Sequence, residues 1–231
     1  FVMQLSLLGT AIFNLSLFFT SWYKYRKPNS EAEPCVSNNH TWPKISILIA
    51  LYREVEVIDQ LIASLIKLEY DKEQLEIILV TEADDLETNQ ALASKVLEAA
   101  IQIVVVPVSY PRTKGKALNY ALNFVTGEYV VVFDAEDVPS NCQLKRAMTR
   151  FASLPKEYIC LQSQLNFYNY DQNWITRLFA LEYSKWFEYV LPAMHHYGMP
   201  IPLGGSSNYF KVDYLRALGG WDPYNVTEDA D

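Results

Sequence analysis

Two apolar runs in this sequence end abruptly in acid. LEIILV (Leu75 to Val80) is followed by Glu82, Asp84 and Asp85, and EYVVVF (Glu128 to Phe133) by Asp134, Glu136 and Asp137. Carboxylates buried without a partner cost far too much to serve as core filler. Acids placed this way have two physical uses: they cap and charge-stabilise the first turn of a helix, or they offer hard oxygen ligands to a divalent cation such as Mg2+ or Mn2+. For Asp85 and Asp137 taken singly, the helix cap is at least as good a reading; for two clusters together, the cation gains. Glycine-rich phosphate cradles are absent, since the eight glycines form neither GxGxxG nor GxxxxGK[ST]. A diphosphate would therefore be held through a cation on carboxylates.

The elements that must carry these acids alternate. KISILIA (Lys44 to Ala50), LEIILV, IQIVVV (Ile101 to Val106) and EYVVVF are short β-rich runs. Between them, Val57, Ile58, Leu61, Ile62, Leu65 and Ile66 recur at helical spacing, and helix-like sequence follows the second run up to Ala100. Strands alternating with helices predict an α/β fold with a mostly parallel sheet covered on both faces. Ligands of such sheets bind outside the carboxyl ends of the strands, the rim to which both acid clusters belong.

The chain has 231 residues and a formal net charge of -8, which argues against nucleic acid as a partner. Cys35, Cys142 and Cys160 are odd in number and widely spaced, the pattern of reduced thiols rather than of a disulfide framework or zinc site. His40, His195 and His196 show no metal-ligand spacing. Residues 1–23 carry no charge and precede Lys24, Arg26 and Lys27, which predicts a transmembrane helix with its basic flank, and everything after it, on the cytoplasmic side. Ser6, Thr10 and Asn14 share one face of that helix and would pack against another. The polar, proline-interrupted stretch over 24–42 reads as a linker to a domain over 43–231. An opening Phe implies further sequence upstream.

ISILIALYREVEVI, TEADD, KGKALNYAL, FDAEDVP, LGGSSNYF and GGWDPYNVTED, in this order, resemble the family 2 glycosyltransferases, nearest the membrane-embedded cellulose-synthase-like and bacterial exopolysaccharide branch. The resemblance runs from about Pro43 to the last residue. It implies a GT-A fold, a nucleotide-diphosphate sugar donor, most often a UDP-sugar, a glycan acceptor and inversion at the anomeric carbon. Position by position, Ala50, Tyr52 and Glu54 would open the donor pocket with Asp84, and Glu82 stands where the family has a base-binding aspartate. Lys114 matches the residue that neutralises the diphosphate; Arg112 and Lys116 are weaker candidates, and Lys116 reads better as solvated surface charge. Asp134 and Glu136 align with the two acids of the DxD motif, with Asp137 directly after as the other candidate metal ligand. Gly204, Gly205 and Ser206 resemble the acceptor-side loop, or else a tight turn before a strand. Thr227-Glu228-Asp229 resembles the TED motif, in which Asp229 would be the general base; the same three residues could start a helix.

Residues 162–197 are rich in aromatics at helical spacing, consistent with interfacial amphipathic helices or with an ordinary aromatic core face. Together these features predict a membrane-anchored, metal-dependent inverting glycosyltransferase of the inner or plasma membrane with a cytoplasmic catalytic domain, acting in polysaccharide synthesis. A silent nucleotide-sugar sensor or scaffold is the alternative of another class. A sugar-phosphate nucleotidylyltransferase is disfavoured, because ALYREVE lacks the glycine-rich loop that such enzymes carry after the first strand. The QxxRW motif of processive synthases would lie beyond residue 231 and its presence is not readable.

Overall fold

The computed structural model describes residues 2–25, 41–95 and 100–225. The chain divides into two compact units, one drawn from Phe1–Pro34 and Gln164–Pro202, the other from Cys35–Ser163 and Leu203–Asp231.

The larger unit is built on a six-stranded sheet. Its strands are β1 (Ile45–Leu51), β2 (Leu75–Glu82), β3 (Ile101–Val106), β4 (Tyr129–Phe133), β5 (Cys160–Gln162) and β6 (Asn208–Lys211), in the spatial order β3-β2-β1-β4-β6-β5. The first four pair in parallel, as the alternation of runs predicts. β6 runs antiparallel to both β4 and β5, so the sheet is mixed rather than parallel throughout. These two strands are three and four residues long, too short for a periodicity to show.

β1 shows why the sheet must be covered on both faces. Ile45, Ile47, Ile49 and Leu51 enter one apolar cluster with Leu61 and Leu65 of α2 (Ile58–Ile66) and Leu144, Met148 and Phe151 of α5 (Gln143–Ser153). Leu48 enters the opposite cluster, with Ala117, Leu118, Ala121 and Leu122 of α4 (Lys114–Leu122) and Val212 and Leu215 of α8 (Val212–Leu218). The two-residue period of a strand thus divides one apolar run between two helix layers. Burying each such side chain stabilises the fold by about 1.5–3 kcal/mol. After β2 the expected helix to Ala100 is shorter, α3 (Leu86–Ala93), and residues 96–99 lie outside the described residues.

The smaller unit contains α1 (Val2–Tyr25), α6 (Trp174–Ser184), a π-helical segment (Lys185–Val190) and α7 (Leu191–His196). Pro192 at the start of α7 has no N–H to give the carbonyl of Glu188 four residues earlier. The buried Ser21 hydroxyl of α1 donates to that carbonyl at 3.0 Å. Leu17 packs with Val190 and Ala193. Thr10 and Asn14 are exposed, and the Asn14 amide donates to the Thr10 carbonyl within its own helix at 2.9 Å, which satisfies it locally; the Ser6 side chain lies outside the described set.

The membrane span expected over 1–23 is not met: among the described residues no helix is long and apolar enough to cross a membrane. Gln4, Thr10, Asn14, Ser16, Thr20 and Ser21 dilute the apolar run. Residues 26–40 of the expected linker lie outside the described residues. The expectation of three reduced thiols is also corrected, because Cys142 is disulfide-bonded. Cys160 is a free thiol whose pKa burial pushes up to about 12.

Candidate active site

The acids do stand at the carboxyl ends of their strands, and the segment before and into α4 supplies a cation to each cluster. α4 begins at Lys114 because the Thr113 hydroxyl caps it, accepting from Lys116 N at 3.3 Å. Arg112 pairs with Asp84 at 2.6 Å, Lys116 with Glu82 at 2.7 Å, and Lys114 with Asp134 at 2.6 Å. Lys114 also donates to the carbonyl of Gly205 at 3.1 Å. Three alternate positions of one segment therefore tie the rim after β2 to the rim after β4, the two strands that flank β1.

The Lys116 expectation is corrected by this arrangement. Rather than lying on a solvated surface, its side chain is 13% exposed and its ammonium grips both oxygens of Glu82. Sequence separation could not show this, since 34 residues divide the partners and only the β2/β1/β4 order brings them together.

Glu54 and Asp85 hold the loop after β1. Asp85 caps α3, accepting from Thr88 N at 3.2 Å, and its other oxygen accepts from the backbone N–H of Arg53 at 2.5 Å. Arg53 has φ 58, a left-handed backbone that a residue with a Cβ adopts only when held. Burial alone would raise the Asp85 pKa, but the hydrogen bonds from Arg53 and Thr88 bring it below the ordinary aspartate range. Its cap reading is thus the observed one.

Glu54 behaves oppositely. Burial first, then the charges of Glu136 and Asp134, raise its pKa to about 7, with Lys114 pulling the other way. Its Oε2 is buried without a hydrogen-bond partner. Glu54, Asp134 and Glu136 therefore share one region whose negative charge Lys114 offsets only in part.

Asp137, the other candidate ligand, has one carboxylate oxygen engaged. Its Oδ2 accepts from the backbone N–H of Asp134 at 2.8 Å and from the Ser206 hydroxyl. Burial, its largest influence, holds its carboxyl above the usual range despite these bonds. It braces the strand-end turn to the Gly204-Gly205-Ser206 loop. Left-handed backbone in this loop falls on Ser207 (φ 58). Among the described residues no group of three His, Cys, Asp or Glu side chains is placed to hold a metal. Mg2+ and Mn2+ sites that hold substrate phosphates use one or two carboxylates with water and the substrate itself, so Asp134 and Glu136 beside the unpartnered Glu54 oxygen fit such an ion.

Of the remaining expected site residues, Tyr52 is exposed at the end of β1, while Ala50 lies within β1 and packs against the apolar layer under α4. Thr227, Glu228 and Asp229 lie outside the described residues. The chain leading to them is fixed as far as Pro223. Asn119 of α4 donates to the carbonyl of Trp221 at 2.6 Å and accepts from its N–H at 2.9 Å, and the Thr113 hydroxyl donates to the carbonyl of Pro223 at 2.6 Å. Gly220 lies beside the Asn119 amide at φ 81, where a Cβ would overlap that amide. Sequence reasoning placed no role on Asn119, whose signal was its place in KGKALNYAL.

Comparison with known proteins follows the same pattern. The model of a family described as glycosyltransferase like family 2 matches residues 43–231. The beta-monoglucosyldiacylglycerol synthase of Trichormus variabilis is 28% identical over 193 residues, which cover 82% of this chain and 40% of that protein. The UDP-forming cellulose synthase catalytic subunit of Komagataeibacter sucrofermentans is 21% identical, over 99% of this chain and 30% of its own length. The chain thus spans less than half of these relatives. Among solved structures, the mannosyltransferase PcManGT of Pyrobaculum calidifontis, in complex with GDP-Man and Mn2+, shares the fold with a TM-score of 0.65 and 22% identity, over 94% of this chain and 57% of that one. TarS of S. aureus, residues 1-349 with UDP-GlcNAc, has a TM-score of 0.53 and 16% identity, over 81% and 53% of the two chains.

Proposed function

The chain belongs to glycosyltransferase-like family 2, and on that premise we propose that it transfers a sugar from a nucleoside-diphosphate sugar to a glycan or glycolipid acceptor, with inversion and with a divalent cation. The observation that carries this reading is the contact of Lys114 with Asp134 at the end of β4, beside Glu136 and Glu54. A diphosphate needs cationic charge from the protein and from an ion held on carboxylates, and this corner of the rim offers both.

Asp134 and Glu136 would hold the ion, which supplies Lewis-acid stabilisation to the departing diphosphate when bound. Lys114 neutralises further charge on that group. It stands at the first turn of α4, where the helix dipole disfavours a cation and favours an anion. Arg53 and Glu54 shape the pocket from the β1 side, locked by Asp85. Asp229 would take the proton of the acceptor hydroxyl. Support for the donor class comes from the neighbours, solved with GDP-Man and Mn2+ and with UDP-GlcNAc; support for the acceptor class comes from relatives named for a glucolipid and for cellulose.

The proposal includes action at the inner or plasma membrane, with the catalytic domain on the cytoplasmic face. The smaller unit supports this. Leu7, Leu8, Ile12, Leu15 and Phe19 of α1, and Trp174, Leu178 and Leu181 of α6, are all exposed, more apolar surface than a unit surrounded by water leaves uncovered.

The test is calorimetric titration of UDP and GDP into the purified chain with and without Mn2+, beside Asp134→Ala. Binding that needs both the ion and Asp134 is expected; equal binding by both proteins without Mn2+ would remove the donor reading.

A further inference from the structure

β5 is the outer strand of the sheet, and Cys160 stands opposite Phe210 of β6, so both side chains leave the sheet on one face. That face carries Leu215 of α8 and Trp221 of the turn after it. Neither Cys160 nor Gly220 is large enough to fill the space between them, and a cavity of about 130 Å³ results. Leu203, Phe210, Tyr214, Leu215, Leu218 and Trp221 give it an apolar wall. Burial keeps the Cys160 thiol protonated, so it belongs to that wall. Every lining residue lies in the larger unit.

Size and lining decide what fits. An apolar cavity of about 150 Å³ stays dry and takes up benzene, so this one holds about six carbon atoms. It is open at one side, where Leu218 is 73% exposed and Tyr214 49%, so a longer group can enter by its end. Apolar side chains left in water around an apolar hollow are the marks of a ligand site. A sugar ring would bury hydroxyls there that this wall cannot pair. Among the described residues, the charged side chains of the lining are Lys211 and Asp222. Asp222 accepts from the Tyr224 N–H through Oδ1 at 2.8 Å. Lys211 donates to the carbonyl of Lys156 at 2.8 Å, and its ammonium lies 5.9 Å from the centres of both the Phe151 and Tyr214 rings, which fixes it at the wall. An ammonium has three N–H groups, so two remain for the acceptor of a ligand.

We propose that this cavity is an acyl-binding site, in which the methyl end of a chain fills the hollow and its carboxylate or ester carbonyl accepts from Lys211. The inference goes beyond the donor reading and does not depend on it. Leu203 precedes the Gly204-Gly205-Ser206 loop, and Asp222 precedes Pro223, whose carbonyl Thr113 holds, so an occupant bears on both segments.

The chain is labelled with fluorotryptophan, and the Trp221 signal is assigned among its five tryptophans by Trp221→Phe. Butanoate, hexanoate, octanoate, decanoate, monohexanoylglycerol and hexanol are then titrated below their micelle-forming range and followed by fluorine NMR. The Trp221 signal should shift saturably. Affinity should rise about fourfold per added methylene and level off once about six carbons are inside. Leu218→Phe, which enlarges an exposed side chain at the mouth, and Cys160→Leu, which thickens the wall, should each weaken hexanoate about tenfold. Lys211→Met keeps the stem over the rings and should weaken hexanoate and the ester about tenfold while leaving hexanol unchanged. Tighter binding of hexanoate than of the ester assigns the site to free fatty acids; the reverse assigns it to esterified lipid, and both support the proposal. An unmoved Trp221 signal overturns it, as do shifts confined to Trp174 and Trp186 of the smaller unit. So does an affinity that climbs without levelling through decanoate, the behaviour of an open apolar surface. Unchanged hexanoate binding in Lys211→Met, or in both filling variants, overturns it as well, whatever the outcome of the nucleotide titrations.

Discussion

Asp85→Ala removes the bolt between the loop after β1 and the loop after β2, and its cost can be worked from two bonds. Losing the cap on α3 costs about 1 kcal/mol. Losing a carboxylate acceptor for the Arg53 N–H costs about 1.5–3 kcal/mol, and Arg53 then has nothing to hold it at φ 58. The expected destabilisation is about 3 kcal/mol, with Asp85→Asn losing roughly half because it keeps a neutral acceptor. The pH dependence follows from the lowered pKa of Asp85. A depressed carboxyl contributes stability that is present above its unfolded pKa, about 3.9, and lost as pH falls through the folded value. The gap between wild type and Asp85→Ala should therefore narrow below about pH 4. Urea unfolding followed by tryptophan fluorescence at pH 7 and in acid measures both quantities. A loss under about 1 kcal/mol at pH 7, or a gap of the same size in acid, refutes the assignment of Asp85 as the bolt.

Glu54 has the opposite sign. With its folded pKa raised to about 7, the folded state keeps a proton that the unfolded state has lost, so stability falls as pH rises from its ordinary value toward neutrality. Glu54→Gln should raise Tm clearly at pH 8 and much less at pH 4.5; equal shifts in melts at the two pH values would count against the carboxylate cluster. Lys114→Met should weaken UDP or GDP binding by about 10–100-fold, roughly the 1.5–3 kcal/mol of a charged hydrogen bond, with little change for the free nucleoside in the same titration. Gly220→Ala, forced into a left-handed backbone against Asn119, should cost about 2 kcal/mol, read by thermal melting; a neutral result would mean that the α4 anchor gives way freely.

The four parallel strands and both acid clusters were legible because each depends on a local pattern: an apolar run, then charge. The partners of the acids were not. Arg112, Lys114 and Lys116 are alike in sequence, and which acid each one meets is set by a crossover that puts β2 and β4 on either side of β1. The bond from Asp137 back to Asp134 N is local, whereas its bond across to Ser206, 69 residues away, is beyond any local pattern. Likewise the bond between Ser21 of α1 and the Glu188 carbonyl joins residues 167 apart, which no periodicity within α1 carries.

The alternating cations of residues 112–116 also bear on how this gene can vary. Each tooth of the comb meets a different acid, so a point substitution disturbs one ion pair and leaves the other two engaged. Inserting or deleting one codon inside the segment shifts the teeth on one side of the change and moves the capping Thr113 relative to α4. Natural variants of this stretch should therefore differ in spelling while keeping their length, and a library that varies length here should yield far fewer folded members than one that varies residue type.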